Sequence, residues 1–244
     1  MKTLIPVVLL LVALSGCGKE FTKSPVDNLI SKLDSQKVPM YSIILEDMEV
    51  DGTVFQDYKH KYQIIRQFDS LNIKSETTDW IEVKEEYFWE NENYLGMEIA
   101  SKGADGKVSK AVAPAGYNNY VGNKQYGQWV NGSGGSFWQF YGQYMFMSSM
   151  LNLATGSIFR GDYDNYSRNY RGRQPYYGPK TGNSYQYGTY GSHTSKTKPA
   201  GFGDKINKIK NGSQSFKEKV NNKVSRSTGR GTPNVRSRGG SGGK

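Results

Sequence analysis

YSIILEDMEV (41–50), Asp51-Gly52 and TVFQDYKHKYQIIRQF (53–68) run on without interruption, and their periodicity decides the fold. Tyr58, His60, Tyr62 and Ile64 alternate with Lys59, Lys61 and Gln63, the period of two that puts apolar side chains on one face of a strand. Asp-Gly accepts the positive φ angles of a tight type I′ turn, so the stretch predicts an antiparallel hairpin turning at Asp51-Gly52 with one buried face. Upstream, Ser24-Pro25 supplies an N-cap and an N1 proline, and Val26, Leu29, Ile30 and Leu33 follow at helical spacing, which predicts one short amphipathic helix. Downstream, Ile81, Val83, Tyr87 and Trp89 read as an alternating strand face. Leu95, Met97 and Ile99 follow an Asn-rich turn, and a second Asp-Gly turn lies at Asp105-Gly106. Residues 25–115 are therefore expected to form an α+β domain, a small antiparallel sheet of about five strands with a short N-terminal helix, near the lower size limit for an independent core.

From Gly116 the composition changes. Phe137 to Leu151 is aromatic and Met-rich, too short for a bilayer span of about 20 residues, and the segment 116–158 admits two placements: packed on the domain, or lying on a membrane surface. Residues 159–244 begin with Tyr163, Tyr166, Tyr170, Tyr176, Tyr177, Tyr185, Tyr187 and Tyr190 among Gly, Ser, Asn and Arg, with no aliphatic residue between Gly161 and His193. Such composition predicts disorder, because little aliphatic surface is available to offset backbone entropy. The tyrosines then serve either as a flexible tether or as aromatic contacts, with Arg168, Arg171 and Arg173 adding cation–π pairs of roughly 0.5–1 kcal/mol each. Further on, Ile206, Ile209, Phe216, Val220 and Val224 recur partly at helical spacing. Asn211-Gly212 is expected to break them into two short basic amphipathic turns.

Charge divides the chain in the same place. Residues 18–115 carry 12 Lys/Arg against 18 Asp/Glu, and residues 116–244 carry 19 against 4. An acidic domain followed by a basic tail implies a polyanionic partner for the tail, the protein's own domain included. The candidate polyanion-binding residues are Arg168, Arg171, Arg173, Lys205, Lys208, Lys210, Lys217, Lys219, Lys223, Arg226, Arg230, Arg236 and Arg238. A tail that is simply solvated accounts for the same composition.

The chain opens MKTLIPVVLLLVALSGC, with one positive charge at Lys2, an apolar run from Leu4 to Leu14, two small residues and the only cysteine, Cys17. This is the layout of a signal peptide, and the apolar run is about half the length a spanning helix needs. Leu14-Ser15-Gly16-Cys17 resembles the lipobox of bacterial lipoproteins. The resemblance covers the first 17 residues alone and implies removal of residues 1–16, a diacylglycerol thioether on Cys17, and a short linker over 17–24. Two or more acyl chains hold a protein firmly, where one binds marginally. Gly18 in place of aspartate after the cysteine implies outer-membrane sorting if the host is Gram-negative. The Tyr/Arg/Gly segment is similar in composition to those of RNA-binding proteins, but an exported protein does not meet nucleic acid as its usual partner.

Catalytic and metal chemistry find little support in the residues. Glu82, Glu85, Glu86, Glu90 and Glu92 could supply a carboxylate pair, yet neighbouring glutamates on a strand point to opposite faces. Asp47, Glu49, Asp51 and Gly52 resemble the start of an EF-hand loop whose twelfth position is Tyr58 rather than Glu. His60 falls on an apolar strand face and His193 stands alone, so a zinc site lacks ligands. No phosphate loop, dinucleotide fingerprint or nucleophile elbow is present. The sequence thus points to a non-catalytic envelope lipoprotein that needs no cofactor. It would be held in the bilayer by acyl chains on Cys17 and would bind anionic envelope polymers, lipid head groups or acidic proteins. The alternatives are a carboxylate-based envelope hydrolase or its subunit, and a plain tethered structural lipoprotein.

Overall fold

The computed structural model describes residues 24–52, 55–153, 158–198 and 202–228, and for 226–228 only the backbone. The signal peptide, Cys17, Arg230, Arg236, Arg238 and the side chain of Arg226 lie outside the described residues.

The α+β domain is present. Its first helix, α1 (Pro25–Ser35), starts on Ser24, whose Oγ accepts from the Asp27 N–H, with Pro25 in the first turn. Strands β1 (Met40–Asp51) and β2 (Asp57–Gln67) form the hairpin, paired from Met40–Gln67 to Asp51–Asp57. Gly52 takes φ +81°, but the connection runs from Gly52 to Gln56 instead of closing in a two-residue turn. Next come β3 (Ile73–Thr77), β4 (Ile81–Val83), helix α2 (Glu85–Glu90), β5 (Met97–Lys102), β6 (Val108–Ser109) and β7 (Ala113–Pro114). The sheet order is β3-β2-β1-β5-β6, with β4 also on β2 and β7 also on β5. Gly106, at φ +75°, makes the β5–β6 turn as expected.

Tyr87 and Trp89 belong to a helix rather than to the strand their alternation suggested. Phe88 and Trp89 are adjacent and both buried, which a strand with one buried face cannot achieve and a helical turn can. Glu85 and Glu86 occupy the first turn of α2, where the helix dipole favours carboxylates.

Both faces of the sheet are covered, not one. The first core joins Val26, Leu29 and Leu33 of α1 and Phe88 and Trp89 of α2 to Tyr41, Ile43, Leu45, Tyr62 and Ile64 of the hairpin. The second lies on the opposite face against Met40, Ile44 and Ile65. It is built by residues 113–176. The hairpin β8 (Gly127–Gly132)–β9 (Gly135–Phe140), a 3₁₀ turn at Gly142–Tyr144 and helix α3 (Phe146–Met150) send Trp138, Phe140, Tyr144, Met147 and Leu151 inward. Of the two placements open for residues 137–151, packing on the domain is the one observed. Met145 and Phe146 remain exposed.

The tyrosine-rich segment is folded, contrary to the expectation of disorder. It forms helix α4 (Arg160–Asn165), a π turn over Tyr166–Tyr170, the small ladder β10 (Lys180–Thr181)–β11 (Ser184–Tyr185) and helix α5 (Ser192–Thr197). Tyr117 lies 5.4–6.3 Å from the ring centroids of Tyr163, Tyr166, Tyr176 and Tyr187. Tilted and edge-on pairs of this kind are worth about 0.5–1.5 kcal/mol each beyond burial. Tyrosine therefore supplies the apolar surface that aliphatic residues do not. The last element, α6 (Phe202–Thr228), runs straight through Asn211-Gly212. Gly212 does not break the helix because it serves packing: a Cβ there would sit 2.6 Å from Cη2 of Trp89. No helix among the described residues is long and apolar enough to cross a membrane.

Candidate functional site

Two environments combine polar chemistry with accessibility. The first is the junction of α6 with the acidic domain. Ile209 is buried in the first core, Phe202, Ile206 and Phe216 pack at its edge, and the Phe216 ring lies 6.2 Å from that of Trp89. This apolar stripe turns specific lysines onto acids. Lys205 Nζ reaches both carboxylate oxygens of Asp47 at 2.9 Å, and Lys217 Nζ donates to Glu92 Oε1 at 2.8 Å. Lys208 Nζ donates to the Val50 carbonyl at 2.8 Å, and Lys219 stands 4.0 Å from Glu85. Lys198 meets the carbonyl and the carboxylate of Glu46, where a bulge interrupts the β1–β2 register. Part of the basic tail is thus engaged by the protein's own acidic domain. Lys210 and Lys223 are exposed and form no ion pair among the described residues.

The candidate arginines divide differently. Arg168 pairs with Asp164 at 3.2 Å, Arg171 donates to the Asn118 carbonyl at 2.8 Å, and Arg173 to the Arg168 carbonyl at 3.1 Å. All three remain exposed. None stacks on the neighbouring tyrosines, whose faces are taken by one another. Tyr166, Tyr176 and Tyr187 are buried and Tyr163, Tyr170 and Tyr177 half-buried, which leaves Tyr185 and Tyr190 as the exposed rings of the eight.

Those two rings border the second environment, a cleft between the tyrosine segment and α6. One cavity of about 320 Å³ is lined by Asn93, Tyr177, Tyr185 and Tyr190 among others. An adjoining one of about 400 Å³ is lined by Glu92, Asn93, Tyr190, Lys210, Ser213 and Lys217. Asn93 and Tyr190 belong to both. The floor is the turn between α2 and β5: Thr189 N–H donates to the Asn93 carbonyl at 3.1 Å, and Thr189 Oγ1 donates to the Glu92 carbonyl. Gly188, at φ +87°, permits this approach, since a Cβ would lie 2.7 Å from the Asn93 carbonyl oxygen. The Glu92 side chain is 7% exposed. Its Oε2 and the Ser213 Oγ have no hydrogen-bond partner among the described residues. Sequence reasoning had Glu92 only as one of several solvated glutamates and missed Asn93 and Ser213. Nothing local distinguishes them; α6 and the tyrosine segment bring them together from more than 100 positions apart in the chain.

A third cavity, of about 610 Å³, opens beside Ser24 and is lined by Tyr87, Glu90, Tyr94, Lys110 and Arg173 among others. Its charges oppose one another, and Lys110 is already paired with Asp27.

His60 is wholly buried, with Nδ1 2.9 Å from the Tyr62 hydroxyl, and burial pushes its pKa down to about 3. It is a neutral core histidine. His193 caps a different contact, with Nε2 2.6 Å from the Asn152 carbonyl, inside an ordered helix rather than a disordered stretch. Among the described residues no cluster of three or more His, Cys, Asp or Glu is placed to hold a metal.

Glu98, unmarked in the sequence, is fully buried between sheet and tyrosine layer. Its oxygens accept from Asn118 Nδ2 at 2.6 Å and Gly116 N–H at 3.2 Å, with the Ser42 and Ser101 hydroxyls also bonded. Burial raises its pKa and outweighs these donors. A folded pKa above the unfolded one means that stability is full below about 4.5 and is lost as pH rises through the folded value. Wild type should therefore lose stability relative to Glu98→Gln as pH rises above about 4.5 and through the raised folded pKa. Chemical denaturation of both across that range checks this, and the subtraction cancels the opposing titration of His60. A constant difference would show that the four donors hold Glu98 as a carboxylate.

Comparisons of this chain with protein-family models, with curated proteins and with solved structures give no match.

Proposed function

We propose that this chain is a lipid-anchored, non-catalytic binding protein of a bacterial cell envelope, presenting the basic helix α6 to anionic envelope components. The anchor rests on Leu14-Ser15-Gly16-Cys17 and its implied acylation at Cys17. Gly18 favours the outer membrane in a Gram-negative host. The binding surface rests on one observation: docking of α6 engages Lys205, Lys208, Lys217 and Lys219 with the domain and leaves Lys210 and Lys223 exposed with no ion pair among the described residues, while Lys217 and Lys219 stay 64% and 67% exposed. Anionic wall polymers, lipid head groups and acidic envelope proteins fit such a face. Exposed charge pairs are individually weak and screened over about 8 Å at physiological salt, so binding is multivalent and salt-sensitive.

The test uses the mature chain with Cys17→Ser on vesicles of phosphatidylglycerol and phosphatidylcholine. Retention should fall steeply between about 50 and 500 mM salt, and Lys210→Glu with Lys223→Glu should abolish most of it without changing unfolding behaviour. Retention that ignores both salt and charge reversal would sink the basic-face reading. In cells, Cys17→Ser should leave an unprocessed precursor that takes up no labelled palmitate. Normal labelling of that variant would end the lipoprotein reading.

A further inference from the structure

The cleft floored by Glu92 and Asn93 contains a mismatch that a ligand would resolve. A buried carboxylate oxygen with no partner costs free energy, as does a buried hydroxyl, and native proteins leave few of them. Here Glu92 and Ser213 both line the 400 Å³ cavity, and Glu92 Oε2 and Ser213 Oγ lie buried just behind its wall with no hydrogen-bond partner among the described residues. Glu92 Oε1 already accepts from Lys217, and the unpartnered Oε2, an acceptor, is satisfied only by a donor, an O–H or N–H. Lys210, exposed on the same cavity wall and free of ion pairs among the described residues, offers the opposite: an ammonium for an acceptor or an anion. Tyr190, 42% exposed, separates this polar chamber from the tyrosine-lined one. Tyr185, slightly more exposed, carries Lys180 Nζ 5.6 Å from its centroid, which leaves Tyr190 as the exposed ring of the cleft without a cation over it among the described residues.

A ligand that satisfies these groups together has hydroxyls to donate, an anionic group beside them, and a flat C–H face to lie on a phenol ring. We infer that the cleft is a binding site for one or two units of an acidic saccharide: hydroxyls bond Glu92 Oε2 and Ser213, the acid group faces Lys210, and the ring lies against Tyr190. A quaternary ammonium or other cation, the usual guest of tyrosine cages, would meet two lysines here. A bare phosphate would meet the Glu92 carboxylate. The assignment gives a specific ligand class to the envelope-binding reading and rests on it only for the source of the saccharide, since Tyr190 lines the cleft without carrying charge and Lys223 lies outside it, so the two can be separated by mutation although Lys210 is shared.

The experiment is calorimetric titration of the mature chain carrying Cys17→Ser with tetragalacturonate, with a disaccharide containing N-acetylmuramic acid, and with chitotetraose as the uncharged control. Saturable binding is expected for at least one acidic probe, about tenfold tighter than for chitotetraose, and which one binds distinguishes an exopolysaccharide source from a wall source. Glu92→Gln and Tyr190→Ala should each weaken it about tenfold or more. Tyr190 is half exposed, so its truncation leaves the fold intact. Tyr190→Ala should not change salt-sensitive retention on anionic vesicles, which depends on Lys210 and Lys223, and loss of that retention in the wild type would count against the basic helix alone. Absence of saturable binding to all three saccharides, or binding unchanged in Tyr190→Ala, overturns the saccharide site. Equal affinity for chitotetraose overturns its acidic character.

Discussion

Tyr117→Ala is expected to cost roughly 3–5 kcal/mol of unfolding free energy, the usual range for deleting a buried aromatic ring. Tyr117 is 1% exposed, and four tyrosines from the downstream segment lean on it: Tyr163, Tyr166, Tyr176 and Tyr187. No aliphatic residue between Gly161 and His193 can refill the space, so the cavity persists or the layer opens. Denaturant unfolding measures the first effect and brief trypsin digestion the second. In the wild type, Arg168, Arg171 and Arg173 lie on a packed π turn and the loop after it, where the backbone must unfold before a protease can engage it. Cleavage there should be slow in the wild type and fast in the variant. A variant as stable and as protease-resistant as the wild type would show that the layer is not held by its central ring.

Ile209→Asp should release α6 from the domain without unfolding the sheet. Ile209 is the α6 residue buried deepest among the apolar ones, at 1% exposure. An uncompensated carboxylate in that position costs several kcal/mol. The ion pairs along the junction cannot offset this: Lys205–Asp47 is partly exposed on both sides and Lys217 is 64% exposed over its buried partner Glu92, and pairs open to solvent in this way contribute about 0–1 kcal/mol. The helix can escape the penalty by detaching, which limits the loss to its own docking free energy. Hydrogen exchange should therefore show α6 amides losing protection from Phe202 onward while β1 and β2 keep theirs. Global loss of protection in β1 and β2 would mean that α6 is integral to the first core rather than laid upon it. Lys205→Ala, by contrast, should change stability by less than about 1 kcal/mol.

Local order was legible from the chain itself. Ser24-Pro25 set the start of α1, strict alternation from Tyr58 to Ile64 set β2 and its buried face, and Asp105-Gly106 set a turn, because each depends on neighbours within a few residues. The acidic and basic halves also foretold that the tail could meet its own domain, since opposite net charges attract whatever the path between them. What the tertiary structure alone decided concerns partners distant in sequence. The opposite face of the sheet is filled by tyrosines whose composition, taken by itself, predicts disorder; their burial is favourable only once Met40, Ile44, Ile65 and Tyr117 supply the other wall. Asn211-Gly212 reads as a helix break until Trp89 occupies the space a side chain would need. Glu92, Asn93, Ser213 and Tyr190 form a cleft for the same reason: no spacing along the chain relates them, and only the docking of α6 beside the tyrosine segment turns a turn glutamate, a helix serine and a loop tyrosine into neighbours.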